Sequence, residues 1–154
     1  LAPESKGFIE TVNPNHKIQP RIQANYLSAD ADKKVAIDAI KLTRNIFSQK
    51  SMKPYSPVEY LPGGKITNID GLIKSIGNIS TTMFHPVGTC KMGLEPNIDP
   101  DSVVNDKLKV HGLNRLRIAD ASIMPTIPHG NTNAPVTMIA EKASEFILHD
   151  YKNS

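Results

Sequence analysis

The sequence contains a single cysteine, Cys90, and this scarcity excludes an internal disulfide framework and a CxxC site. No apolar run approaches the roughly 20 residues that a membrane span needs, and the chain does not open on the apolar core of a signal peptide. An excess of one charge is also missing, because 18 Lys and Arg against 15 Asp and Glu leave a net charge of +3 without a basic run. That excess is too small to indicate a nucleic-acid partner or an anionic membrane surface.

Phosphate-binding glycine motifs are absent as well. The nine glycines never occur as GxG, so neither GxGxxG nor GxxxxGK is present. The chain therefore does not hold a dinucleotide through a Rossmann turn of its own. No histidine or cysteine pair has the HxxxH or CxxC spacing of a zinc site, and we predict no metal. A Cys–His–Asn triad through Cys90 can be drawn from composition alone, but a small buried cysteine explains this residue better.

The composition that is present, 39% hydrophobic and 21% charged over 154 residues, is typical of one globular domain with a real core. The chain begins at Leu1 rather than at Met, which we interpret as a piece of a longer protein. Local patterns predict strands within 7–12 and 21–27 with a turn at 13–15 after the first of them, and strands near 108–110 and 116–119. They also predict a helix capped by Asp30 or Asp32, a loop over 51–69, a short helix capped by Asp70 and running through Ile76, and a helix capped by Thr132 or Asn133 that runs to about Leu148.

Two of the helices have apolar positions at helical spacing. The first predicted stripe is Val35, Ala39, Leu42 and Ile46, and the last helix has Val136, Ile139, Ala140, Ala143 and Ile147. Pro135 falls in the first turn of that last helix, where proline is favoured.

Two loops, 83–90 and 128–135, are rich in polar and turn-forming residues, and each contains a histidine. An imidazole can accept a proton near neutral pH, and the positive end of the last helix favours a negative charge in front of it. A base beside such a helix end suits the oxidation of an alcohol. Composition does not place the two loops together, and an ordinary capped helix is the alternative interpretation.

Four stretches in these regions resemble the C-terminal signatures of the glucose–methanol–choline (GMC) oxidoreductases. They are FHPVGTCKMG at 84–93 with VVN at 103–105, LKVHGL at 108–113, LRIADASIMP at 116–125, and GNTNAPVTMIAEKA at 130–143. The match is specific over 81–148 and looser over 5–50. The resemblance implies an FAD-dependent alcohol or choline-type dehydrogenase or oxidase that takes a hydride from a small alcohol onto the flavin.

The resemblance also assigns roles to residues of this chain. His85 matches the catalytic base, and Asn133 matches its partner, which hydrogen-bonds the substrate oxygen where other members have a second histidine; a helix cap is the alternative role for Asn133. Asp120 and Ala121 match the place that touches the FAD phosphate and ribityl region. Ala134, Pro135 and Val136 match the backbone near the flavin pyrimidine edge, where the helix end would stabilise negative charge on the flavin. His129 departs from the pattern and is interpreted as a solvent-side or channel residue, and His111 as structural.

The family holds FAD mainly through an N-terminal Rossmann-type half with GxGxxG, which is missing here. We therefore expect residues 1–154 to be the C-terminal substrate-binding and catalytic portion, inactive without that half. The expected fold class is α+β, with a mixed, mainly antiparallel sheet and helices packed on one face. A non-catalytic truncated binding module and an FAD-containing hydroxynitrile lyase-like use of the fold are alternatives. One cysteine slightly favours the cytoplasm, although a signal peptide would lie upstream.

Overall fold

The computed structural model describes residues 2–153, so Leu1 and Ser154, the ends of the predicted 1–154 portion, lie outside the described residues. The chain divides into two compact units, an N-terminal unit over Pro3–Thr82 and a C-terminal unit that begins at Met83. Their elements in chain order are β1 (Phe8–Glu10), β2 (Arg21–Gln23), α1 (Asp30–Phe47), a 3₁₀ segment (Lys50–Tyr55), α2 (Ile69–Ile79), a 3₁₀ turn (Ala121–Ile123) and α3 (Asn133–Lys152).

The two predicted N-terminal strands form an antiparallel pair in which Ile9 lies opposite Ile22. Arg21 forms an ion pair with Glu10 on the facing strand, and its guanidinium lies 5.3 Å from the centre of the Phe8 ring. Side-chain oxygens of Asn13 and Asn15 accept hydrogen bonds from backbone N–H groups two residues further on, which builds the predicted turn. The two predicted strands are thus confirmed.

The core of the N-terminal unit lies between α1 and α2. Ile37 of α1 and Leu72 and Ile76 of α2 are its buried residues. The predicted α1 stripe was wrong, since Val35, Leu42 and Ile46 are exposed and the buried side of the helix has Ile37 instead. Helical spacing alone does not determine which apolar side of α1 is buried, because the position of α2 decides which side is covered.

The predicted N-caps of both N-terminal-unit helices were also wrong. Ala29, not an aspartate, is the N-cap of α1, while the Asp32 carboxylate accepts hydrogen bonds from the N–H groups of Glu4 and Ser5 at 2.9 and 2.8 Å. Asn68, not Asp70, caps α2, because its side-chain oxygen accepts from the Gly71 N–H at 2.7 Å.

The C-terminal unit has a core formed by its irregular segment together with α3. The buried residues of this core are Val104, Leu108, Ile123, Met124, Ile139 and Ala143. Among residues 83–153, strand pairing is limited to single bridges, including Val104 with Val110 and Lys109 with Arg117, so the predicted strands near 108–110 and 116–119 are shorter than expected. The left-handed backbone of Leu108, Gly112 and Arg115 interrupts the extended conformation that a longer strand requires.

Backbone hydrogen bonds hold the irregular segment against itself. Cys90 N–H donates to Ser122 O at 3.0 Å and Met92 N–H donates to Ile123 O at 2.7 Å. Gly93 permits the close approach of the following loop, because a Cβ there would lie 2.3 Å from an Asp99 carboxylate oxygen. The loop with His85 is therefore fixed at its end to the 3₁₀ turn at 121–123.

The predicted last helix is confirmed as α3, and it runs to Lys152 rather than to Leu148. Of its predicted stripe, Ile139 and Ala143 are buried and Val136 packs against the core, but Ala140 and Ile147 are exposed. Phe146 takes the next place on the buried side. The buried side runs through Val136, Ile139, Ala143 and Phe146 by steps of three and four residues, and Ala140 and Ile147 lie beside it although their spacing is helical too.

The far end of α3 is tied to the irregular segment by a charged cluster. Asp150 accepts hydrogen bonds from the Lys109 ammonium at 2.6 Å and from the Arg117 guanidinium at 2.7 Å. These two hydrogen bonds hold the pKa of the Asp150 carboxyl well below its ordinary value, and the bond from Lys109 has the larger effect. A carboxyl whose pKa is lowered by folding stabilises the fold above its ordinary pKa and loses that contribution as the pH falls below it.

We therefore expect Asp150→Asn to lower the free energy of unfolding at neutral pH, with a deficit against wild type that shrinks below about pH 4. Urea unfolding of both proteins between neutral pH and the acid limit of folding measures this deficit. The control is Asp106→Asn, which changes an exposed carboxylate without a hydrogen bond or ion pair among residues 2–153. A deficit of equal size at neutral and acidic pH would contradict the assignment.

The described chain thus combines helices with a small antiparallel sheet, and the α+β prediction is confirmed. None of the helices between residues 2 and 153 combines the length and the apolar character needed to cross a membrane.

Candidate active site

The half-buried His85 lies in a loop whose backbone turns sharply on both sides of it. Phe84 and Gly88 both have positive φ angles, of 59° and 88°. The Phe84 ring is 79% exposed and does not cover the unit's core. Because Cys90 N–H anchors the loop's end, this geometry presents the imidazole at the surface of the C-terminal unit.

The beginning of α3 departs from ordinary capping. Thr132 is the N-cap residue, yet its side chain makes no capping hydrogen bond. Pro135 is the third helical residue and has no N–H to offer to a cap. The Val136 N–H, which donates to Thr132 O at 3.0 Å, starts the helical hydrogen-bond pattern.

One hydrogen bond joins the two loops that the sequence singled out. His85 Nδ1 and Thr132 Oγ1 lie 3.0 Å apart, across 47 residues of chain. The imidazole is thereby held at the N-terminal end of α3, where peptide dipoles give a partial positive charge. The structure supplies the contact that composition did not.

Asn133 follows Thr132 directly and is the first residue of α3. Its predicted alternative role as a cap was wrong, because its backbone carbonyl is already inside the helix and accepts from the Thr137 hydroxyl at 3.0 Å. Its exposed side-chain amide makes no hydrogen bond within residues 2–153. The amide therefore keeps both its donors and its acceptor for another molecule.

The residues predicted to contact a cofactor lie on two short segments of the same unit. Asp120 is the N-cap of the 3₁₀ turn, with one carboxylate oxygen accepting from Ser122 N–H at 2.8 Å. Ala121 and Val136 both pack against the core described above, and Ala134 and Pro135 complete the first turn of α3. The structure thus brings these segments to one core.

The side chains of His129, Cys90 and His111 make no hydrogen bond to His85, Thr132 or Asn133 among residues 2–153. His129 is exposed, and Cys90 is half-buried with its backbone N–H bonded to Ser122. The His111 side chain is 9% exposed, and its Nδ1 lies 3.6 Å from a Glu95 carboxylate oxygen. Within residues 2–153, no three His, Cys, Asp or Glu side chains form a group able to hold a metal ion.

The N-terminal unit has a groove of about 810 Å³ between α1 and the loop at 57–62. Its only carboxylate, Glu59, accepts two hydrogen bonds from Arg44 at 2.8 and 2.9 Å, which lower the Glu59 pKa. A carboxylate bound in this way is a poor proton acceptor.

Sequence reasoning missed the role of Thr132, which it treated only as a possible cap. The signal was present: a proline three residues later removes one N–H that a capping side chain would use. A threonine in that position is free to bind something else.

Comparison with known proteins agrees with the resemblance. A sequence model of the family described as GMC oxidoreductase matches residues 3–140. The chain is 45% identical to an alcohol dehydrogenase (acceptor) of Pseudomonas putida over 148 residues, which are 96% of this chain and 26% of that protein. It is 41% identical over 150 residues to an oxygen-dependent choline dehydrogenase of Vibrio vulnificus strain YJ016, with the same two shares.

Among solved structures, an FAD-dependent oxidoreductase from Chaetomium thermophilum matches with a TM-score of 0.88 and 25% sequence identity, covering 99% of this chain and 26% of that one. The chain spans about a quarter of the length of the curated relatives it matches. Since the family match extends over most of the sequence and includes both loops of the site, the chain belongs to the GMC oxidoreductase family.

Proposed function

We propose that this chain is the C-terminal substrate-binding and catalytic portion of an FAD-dependent oxidoreductase that acts on the CH–OH group of a small alcohol. The related proteins named above are alcohol and choline dehydrogenases, and the solved structure named above is an FAD-dependent oxidoreductase. The remaining part of the enzyme, with the GxGxxG motif, completes the cofactor site. The observation that carries the proposal is the hydrogen bond that holds His85 at the start of α3.

His85 is the base in this proposal. Nδ1 is engaged by Thr132, so the imidazole keeps one ring nitrogen for a substrate hydroxyl. Removal of the hydroxyl proton increases the electron density on the alcohol oxygen and promotes departure of hydride from the adjacent carbon. Bound FAD supplies the acceptor for that hydride.

Asn133 is the partner that orients the alcohol oxygen. It lies one residue after the threonine that holds His85, and its amide is not used by the helix. An amide N–H donated to the alcohol oxygen stabilises negative charge there as the proton leaves. Donor and base then act on the same hydroxyl group.

The donor set of the unit fits FAD. Asp120 uses one carboxylate oxygen for Ser122 N–H, and the other can accept from a ribityl hydroxyl. The N–H groups of Asn133 and Ala134, at the first turn of α3, have no carbonyl acceptor within their own helix and point out of its positive end. The side chain of Ala134 is only a methyl group, so the edge of a planar ring can approach the backbone of this turn. Pro135 and Val136 form the rest of the turn.

The proposal predicts a spectroscopic result. Full-length enzyme mixed anaerobically with a panel of small alcohols should lose its oxidised-flavin absorption with at least one of them. The 154-residue chain with added FAD should show no such bleaching, because most of the cofactor site lies outside it. Bleaching by the isolated chain would overturn its assignment as an incomplete portion, and a full-length flavoprotein that no alcohol reduces would overturn the function.

A further inference from the structure

We infer that Thr132 is a positioning residue that fixes the tautomer of His85, by accepting a hydrogen bond from Nδ1–H and so leaving the lone pair on Nε2. The inference rests on the proposed role of His85 as base. It goes beyond that role, because it assigns the proton on the ring before the substrate arrives and names the group responsible.

The geometry restricts the choice of nitrogen. Nδ1 lies 3.0 Å from Thr132 Oγ1, so it is not available to a substrate hydroxyl. Only Nε2 is left to accept the proton. In a neutral imidazole one nitrogen bears hydrogen and the other a lone pair, so a basic Nε2 requires hydrogen on Nδ1. Thr132 must then be the acceptor of the bond.

The start of α3 leaves the threonine oxygen free for this purpose. A threonine at the N-cap ordinarily accepts from the N–H of the second or third helical residue. The third residue here is Pro135, which has no N–H, and Thr132 makes no capping bond to the second. Its lone pairs are therefore available to the imidazole rather than to the helix.

The same hydrogen bond strengthens during the reaction. When the substrate proton reaches Nε2, His85 becomes a cation with hydrogen on both nitrogens. The Nδ1–H···Oγ1 bond then has a charged donor, and such bonds are stronger than neutral ones. Thr132 thus stabilises the protonated base without touching the substrate.

The tautomer can be read directly by ¹⁵N NMR of selectively labelled histidine rings in the full-length holoenzyme, at a pH where the rings are neutral. The His85 signals are identified as those missing from His85→Asn. We expect a protonated Nδ1 and an unprotonated Nε2 in the wild type and in Thr132→Ser, which keeps the hydroxyl. In Thr132→Val, which keeps the shape and loses the hydroxyl, the hydrogen should move largely to Nε2. Hydrogen on Nε2 in the wild type, or an unchanged tautomer in Thr132→Val, would overturn the inference.

Kinetics of the full-length enzyme separate this inference from the proposed function. Thr132→Val should slow flavin reduction by about 10- to 100-fold, the scale for losing a group that orients a functional histidine, with little change in substrate affinity. Thr132→Ser should restore most of the rate. Normal reduction in Thr132→Val together with a loss in His85→Ala would overturn the inference and leave the function standing. A Thr132-dependent tautomer together with full activity in His85→Ala would instead overturn the role of His85 as the base.

Discussion

Replacement of His85 with alanine in the full-length enzyme is expected to slow flavin reduction by about 10² to 10⁴-fold, the usual scale for losing a general base. The structure holds one nitrogen of this ring 3.0 Å from Thr132, which leaves the other for a substrate hydroxyl. Alanine removes the proton acceptor and the bond to Thr132 together. The alcohol must then lose hydride before its proton has an acceptor within the protein.

Stopped-flow measurement of anaerobic flavin reduction isolates this step from reoxidation. The matched control is His129→Ala, because that histidine precedes α3 on the same loop as Thr132 but is exposed and makes no hydrogen bond with residues 2–153. The control should reduce its flavin at the wild-type rate. Equal rates in His85→Ala and wild type would remove His85 from the mechanism, and a large loss in His129→Ala would move the base to the other loop.

The sequence motifs single out the residues of the candidate site, but the hydrogen bond that joins its two loops could not be predicted from them. The motif around His85 and the motif around Asn133 can both be recognised in the sequence, because each consists of consecutive residues that form a local turn. Their junction depends on a contact across 47 residues, and on Thr132 being released from capping by Pro135. No local sequence pattern predicts a contact between residues so far apart in the chain, because this contact results from the packing of α3 against the irregular segment.

Burial on the helices shows the same division between local and tertiary information. In α3 the prediction succeeded at Ile139 and Ala143, because one apolar side of that helix faces the core of its own unit. In α1 it failed, since the apolar residues of this helix spread beyond one narrow stripe and only the side with Ile37 is covered by α2. Periodicity identifies a helix, whereas its buried side depends on the element that packs against it.

Ile139 is the residue through which that packing supports the site. Its side chain is 7% exposed within the core of the C-terminal unit, and it lies on the second turn of the helix that Thr132 and Asn133 begin. We expect Ile139→Ala to lower the free energy of unfolding of this unit by about 2 to 5 kcal/mol, through lost burial and the cavity left behind. Hydrogen exchange of the α3 amides measures the loss within this unit specifically.

Met138→Ala is the matched control, because the Met138 side chain, next to Ile139 in the sequence, is 56% exposed. Truncation of this side chain should change the free energy of unfolding by about 0.5 kcal/mol or less. The same pair of variants tests how the site is supported. If the core positions the start of α3, Ile139→Ala also loosens the His85–Thr132 bond, and the His85 ring tautomer becomes mixed while that of Met138→Ala does not. A large loss of stability with an unchanged tautomer would mean that the hydrogen bond, together with the first turn of α3, holds the imidazole without help from the core.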